Sequence, residues 1–431
     1  MIAKVTDVAA WEALSEVKPG ARLDGAGAQA EAIVTGRIPL SRVEAVRQQP
    51  FVVSLKAARV LRRTLAETVP GVEATVAKLP AGHKSAGGKG VVVGVVDFGC
   101  DFAHRNFLGS TGKTRLLGIW DQAGTAGTPG SFGYGRFISP VEINKALKQA
   151  DPYVALGYGP EVDTASDRGS HGTHVLDIAA GNGRGSGVAG VAPSADLLFV
   201  EAASSDVPWQ GPDTVGKSFG DSVQLLEAVQ FIFDRAGTKP CVVNLSLGTN
   251  GGPHDGTTLV EQGLDRLVRA QPNRAVVIAA SNSYADGIHA SGQVAAGGVV
   301  ELAWQNPPGE CELEVWFAGV DRFAAELVAP NGQVLTNVGP GENRTLTSQG
   351  IPVVFLTNRL NDPNNHDNVI NLFLAAGLPA GTWRMRLRGV TVTDGRFHAW
   401  IERNDRSQAA FLSAAPDNTH TLGSISCGRE T

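Results

Sequence analysis

Three short stretches carry side chains of catalytic type at positions where an α/β enzyme would use them. Asp97 follows Val91–Val96, VVVGVV, an unbroken apolar run that reads as a buried parallel strand. Ligand-binding and catalytic groups gather at the carboxyl ends of such strands. An aspartate that only closes a turn or caps a helix would sit in the same place. Ser170–Val175, SHGTHV, opens a predicted helix. There Gly172 permits close backbone approach, and His171 and His174 are spaced to face similarly. That pair also raises a metal site, but it lacks a third ligand and groups to orient the rings. One histidine as a base and the other as a packing residue is the preferred reading. Ala279–Asn282, AASN, again follows a buried strand. An asparagine amide there can donate to a developing oxyanion, although the motif standing alone would be read as an Asx turn.

The elements that must position these groups alternate along the middle of the chain. Apolar strand candidates at Val91–Val96, Asp196–Glu201, Cys241–Leu247 and Ala275–Ala280 are interleaved with helix candidates. The helices are expected over His174–Ala180, Ser222–Arg235 and Leu259–Arg269. This rhythm predicts a doubly wound α/β domain with a mainly parallel sheet, over 81–298. Residues 1–80 read as a smaller α/β unit. A helix is expected near Val5–Val17, strands in AEAIVTGRIP and FVVSLKA, and a second helix in SRVEAVRQQ with Ser41 as its N-cap. Ala77–Gly90 reads as a linker. From 299 to 410 short strand candidates follow one another without helices, with turn signals at Pro330–Gly332 and Asp362–Asn365. That pattern predicts an antiparallel β-sandwich or jelly-roll-like insert, after which 411–431 return to the core domain.

Bulk properties exclude several classes. A formal net charge of −5 with scattered arginines does not describe a nucleic-acid-binding surface. No stretch is apolar for long enough to predict a membrane span. The first residues, MIAKVTDVAAWEALSEVKPG, lack the apolar run of a secretory signal, so cytoplasmic residence is expected. Cys100, Cys241, Cys311 and Cys427 have neither metal-knuckle nor redox spacing and are read as free thiols. The glycine-rich AAGNGRGSGVAG follows a helix rather than a strand and has no phosphate-loop lysine, which argues against a nucleotide site. No organic cofactor is called for, and no metal-ligand set is identified.

Taken together, DFGCDFAH with Asp97, HGTH with His171, NLSLG at Asn244–Gly248 and AASN with Asn282 resemble the subtilisin-like serine peptidases. They run in that family's order of Asp, His and oxyanion Asn, with Ser last. The resemblance covers about 91–290, and weakly the tail after Phe411. It implies that Asp97 orients His171, that His171 is the general base and acid, and that Asn282 donates to the tetrahedral oxyanion. It further implies that Ser246, Leu247 and Gly248 pair with the backbone of a polypeptide substrate. His174 corresponds to a second, mainly structural histidine, and Cys100 to a neighbour of the aspartate. Residues 1–80 resemble, in position and size, a prodomain that covers the cleft, with an accessory domain that is never cleaved as the alternative. Many relatives carry structural calcium, for which no ligand set is identified here.

One part of the family pattern is absent. The nucleophile normally lies in GTSxAxP at a helix start, and these 431 residues contain no such motif. Gly256–Thr258, GTT, lies upstream of Asn282 and so falls in the wrong order. The tail THTLGSISCGRET resembles the strand that follows the oxyanion segment. The expectation is a serine endopeptidase whose Ser comes from a downstream segment or a companion chain. A non-catalytic homologue that binds peptides is the alternative, and Ser424 or Ser426 as an unusual nucleophile is the third reading. On the first reading, these residues alone would expose a sheet edge and would bind a complementary fragment.

Overall fold

The computed structural model describes residues 1–23, 31–57, 62–63, 87–125, 127, 132–160, 169–203, 221–404, 407–412 and 417–431. The chain folds into two compact units. One comprises Met1–Leu247, Leu259–Ala279 and Gly428–Thr431, and the other Gly248–Thr258 and Ala280–Cys427.

The first unit begins with β1 (Ile2–Val5), α1 (Val8–Glu12), β2 (Lys18–Leu23), β3 (Ala32–Arg37), α2 (Val43–Arg47) and β4 (Val52–Lys56). The strands form one antiparallel sheet, in the order β2-β3-β1-β4. Its core gathers Val5, Trp11, Val34 and Val46. The helix expected near Val5–Val17 is shorter. Ile2–Val5 is buried along its length and pairs as a strand, and the helix starts only where the Asp7 carboxylate accepts from the Ala10 amide at 2.9 Å. Ser41 is not an N-cap. Leu40–Arg42 make a 3-10 turn, and α2 starts from Arg42 with no side-chain cap. Of the stretch expected as a linker, 77–86 lies outside the described residues.

The remainder of this unit carries β5 (Arg62–Arg63), β6 (Val92–Asp97), β7 (Leu116–Asp121), β8 (Arg136–Ile138), α3 (Pro140–Ala146), α4 (Pro152–Leu156), α5 (His171–Ala180), β9 (Asp196–Glu201), α6 (Asp221–Ala236), β10 (Cys241–Leu245), α7 (Leu259–Arg269) and β12 (Arg274–Ile278), while the two-residue β11 (Leu247–Gly248) straddles the boundary in the chain. Six strands make the main sheet, in the order β12-β10-β6-β9-β7-β8. Every pairing is parallel except β7 with β8. All six residues of β6 are buried, because layers cover both faces of a parallel sheet. From β6 the chain winds to β7 and β9 on one side and then to β10 and β12 on the other. The winding therefore reverses at β6, and a crevice opens at its carboxyl end. Sequence periodicity missed β7, β8, α3 and α4. β7 is as long as β6, but its pairing with β9 shifts register between Leu116 and Ile119, and Gly118 within it has φ +153°. The start of α3 was readable, since Ser139 and Glu142 form a capping box over Pro140.

The second unit is all β: β13 (His289–Gln293), β14 (Val299–Asn306), β15 (Cys311–Phe317), β16 (Arg322–Val328), β17 (Val334–Val338), β18 (Asn343–Ser348), β19 (Ile351–Arg359), β20 (Asn368–Leu374), β21 (Gly381–Thr391), β22 (Arg396–Ile401) and β23 (Ala410–Phe411). Two antiparallel sheets, β13-β22-β15-β20-β19-β18 and β17-β16-β21-β14-β23, enclose a core that includes Trp304, Phe323, Trp383 and Phe397. The Pro330–Gly332 turn joins β16 to β17, and Asp362–Asn365 lies between β19 and β20. The chain thus adopts the expected α/β class: a doubly wound, mainly parallel sheet, a small N-terminal α/β sheet and an antiparallel sandwich.

Candidate active site

The crevice at the end of β6 brings together the first two chemical motifs. Asp97, the last residue of β6, is fully buried, and its Oδ1 lies 2.6 Å from Nδ1 of His171, the first residue of α5. The Phe98 amide donates to the same Oδ1 at 2.7 Å. The residue types around this pair explain its placement. The Gly172 amide donates to the Phe98 carbonyl at 2.7 Å, and a Cβ on Gly172 would come within 2.7 Å of the Gly99 carbonyl oxygen and of the Phe199 ring. Only glycine lets the first turn of α5 approach the β6 exit this closely. Ser170 Oγ donates to the Gly99 carbonyl at 2.9 Å, and the Asp101 amide donates to Thr173 Oγ1 at 2.7 Å. The S-H-G-T run and the D-F-G-C-D run are thus stapled residue by residue.

A second carboxylate supports the same turn. Glu201, opposite Asp97 in the β6–β9 register, accepts the Gly99 amide on both oxygens, at 2.7 and 2.8 Å. Tyr158 donates its hydroxyl to Glu201 Oε2 at 2.7 Å. Burial pushes Glu201 up to about 7, against the hydrogen bonds from Tyr158 and Gly99 and with the charges of Asp121 and Asp97. A folded-state value above the ordinary one means that the folded chain binds the extra proton between pH about 4.5 and 7. Glu201 therefore contributes stability below that window, and the contribution is lost as pH rises through it. Denaturant melts at pH 5 and 7.5 are expected to show Glu201→Gln losing less stability over this interval than the native chain, by on the order of 3 kcal/mol. Parallel curves would refute the assignment. Cys100 is buried beside this group, and burial with the Glu201 and Asp101 charges raises its thiol well above the ordinary range. It is a protonated neighbour, not a nucleophile.

The other predicted residues are placed as follows. Leu247 and Gly248 form the short strand β11, which pairs with β5, so a segment of the N-terminal region lies along this edge. Ser246 is buried, with Oγ accepting from the Asn244 amide nitrogen at 2.9 Å. Asn282 is exposed and caps the 3-10 turn Ser283–Ala285 without a side-chain cap bond. It follows Ser281, whose φ of +89° is a strained conformation for a residue with a side chain. His174 is exposed, which corrects its reading as a packing residue: the buried face of α5 is taken by Gly172, Val175, Leu176 and Ala180. The glycine-rich loop after α5 has its Gly185 and Ser186 amides turned to the buried Asn106 side chain, at 2.6 and 3.3 Å, instead of to a phosphate site. Among the described residues, no helix is long and apolar enough to cross a membrane.

The second unit holds a group that sequence spacing did not reveal. His289, His398 and His420 each place one ring nitrogen within 4.8 Å of the others. They come from two strands and a loop, so no local motif joins them.

A strand-end aspartate thus meets a helix-start histidine at the reversal point of a doubly wound sheet. The chain belongs to the subtilase family, whose model matches residues 88–309, just over half of it. An intracellular serine protease of Paenibacillus polymyxa is 27% identical over 298 residues, covering 66% of this chain and 69% of that one. The major intracellular serine protease of Bacillus subtilis is 25% identical over 260 residues, covering 60% of each chain. The fold matches the structure of the CspB protease of Clostridium perfringens with a TM-score of 0.62 at 23% identity, over 78% of this chain and 66% of that one.

Proposed function

We propose that the chain supplies the aspartate and histidine of an Asp-His-Ser endopeptidase acting on polypeptides, with the serine contributed by a downstream segment or companion chain. The 2.6 Å contact between the buried Asp97 carboxylate and His171 Nδ1 carries this reading. An acceptor at Nδ1 fixes the tautomer in which Nε2 carries the ring's lone pair, the form that takes a proton from a serine hydroxyl and returns it to the leaving amine. Asn282 donates to the oxyanion. Ser246, Leu247 and Gly248 bind the substrate backbone as an added strand. The β5–β11 pairing supports that role, because it shows this edge accepting an extended backbone, and it fits residues 1–80 acting as a prodomain-like cover. β12 ends the main sheet with Val277 53% exposed, which suits it to receive a complementary segment. The names of the two bacterial relatives favour an intracellular setting.

The same β5–β11 pairing also favours a second reading, a peptide-binding homologue without turnover. The deciding experiment is intact-mass analysis of the native gene product after treatment with a serine-directed fluorophosphonate. An adduct on a GTSxA-bearing segment, lost in His171→Ala, is the expected result. No adduct, with this chain as the sole native species, would replace the peptidase with the binding module.

A further inference from the structure

We propose that His289, His398 and His420 form a binding site for a divalent transition-metal ion of the zinc type, separate from the Asp97–His171 pair. His289 and His398 lie on adjacent antiparallel strands. His289 faces Trp400 and Ser291 faces His398, so the two histidines are diagonal neighbours on one face of the sheet. His289 Nε2 lies 3.0 Å from His398 Nδ1. Two imidazole ligands at about 2.0–2.1 Å from a tetrahedral zinc ion are themselves separated by roughly 3.3 Å. The pair therefore already stands near ligand spacing, and one nitrogen of His420 completes a group spanning no more than 4.8 Å.

The surroundings orient the rings as a metal site requires. The Nδ1 of His289, on the far side of its ring from His398, hydrogen-bonds the Asp417 backbone carbonyl at 3.2 Å and lies 3.2 Å from Asp417 Oδ2. That carboxylate is itself held by Ser291 Oγ at 2.7 Å and the Thr419 amide at 3.0 Å. A carboxylate behind a histidine is the arrangement that fixes tautomer and ring angle in metal centres. Thr419 Oγ1 engages His420 Nδ1 at 2.7 Å, which directs Nε2 of that ring to the ion. The Trp400 indole donates to the His420 carbonyl at 2.8 Å and lies beside the His289 and His398 rings, with centroids 5.0 and 5.6 Å away. His420 adopts φ +56°, a left-handed conformation that a residue with a side chain takes up only when its surroundings hold it there. With three imidazoles as its ligands, the set suits zinc, cobalt or nickel rather than calcium or magnesium. An ion there would clip the loop carrying Asp417 and His420 onto the β13–β22 edge.

The test is titration of the full chain with Co2+, followed by its visible absorption, and then displacement with Zn2+. One equivalent of cobalt with tetrahedral-type bands, abolished in His289→Gln/His398→Gln, is expected. His171→Gln/His174→Gln should leave the bands unchanged. Asp417→Asn should weaken the affinity by about 10–100-fold. His420→Gln alters only an exposed ring and keeps the test valid if the double variant fails to fold; its spectrum should lose intensity and change shape. Failure to bind one equivalent, or binding unaffected by His420→Gln and by the double variant, would overturn the site.

Discussion

In the proposed Asp-His-Ser peptidase, replacing Asp97 by alanine is expected to lower turnover by on the order of 10⁴-fold. The substitution removes the carboxylate placed at His171 Nδ1, which holds the ring's tautomer and its angle. Asp97→Asn is expected to fall less far. The Phe98 amide already donates to the Oδ1 that faces His171, at 2.7 Å, and this donor selects the carbonyl oxygen of an asparagine for the same position. The asparagine would keep the tautomer while losing the negative charge that stabilises the imidazolium. The gap between the two variants therefore separates orientation from charge. It is read from kcat on a peptide substrate, or from the rate of fluorophosphonate labelling. An alanine variant within tenfold of the native rate would remove Asp97 from the machinery.

Glu227→Ala is expected to cost about 3–5 kcal/mol of stability, the usual penalty for stripping one partner from a buried ion pair. Glu227, on α6, is fully buried and receives Arg37 Nη2 at 3.0 Å, Thr35 Oγ1 at 2.9 Å and the Tyr134 hydroxyl at 2.6 Å. Arg37 also lies over the Tyr134 ring, 4.3 Å from its centroid. Burial alone would lower the Arg37 pKa, but the charges and hydrogen bonds of Glu227 and Tyr134 raise it, so the guanidinium is held as a cation. Removing the carboxylate strands that cation against the core. Because Thr35 and Arg37 belong to β3, the loss should first appear as detachment of the N-terminal sheet. Limited proteolysis reports that step, and denaturant midpoints report the total. A loss below 1 kcal/mol would show that solvent replaces the lost acceptor.

Legibility from sequence followed the range of the interactions. Asp97 and His171 each obey a local rule, a strand exit and a helix start, and the order of the motifs linked them across 74 residues. VVVGVV, DLLFVE and the α7 segment each announce one element by composition, and they reappear as β6, β9 and α7 with boundaries moved by no more than one residue. β8, with three residues, gives periodicity too little length to work on, and β7 is interrupted at Gly118. Glu227 was hidden because a lone acid within an apolar helix pattern does not name its partners on another sheet. The three histidines were hidden for a related reason: their proximity depends on the β13–β22 register, and alternation within a strand says nothing about which strand lies beside it.

That register also sets an order of assembly. β13 begins the sandwich in sequence, yet His289 finds its cross-strand partner only at Trp400. The hairpins β16–β17 and β18–β19 close short loops, whereas β13 must await the whole intervening chain. The first strand of the sandwich to be made is therefore among the last to be placed, and the histidine group forms late in the assembly of that unit. An ion captured at so late a stage would act on the native side of the folding barrier. It would slow unfolding and leave the folding rate nearly unchanged.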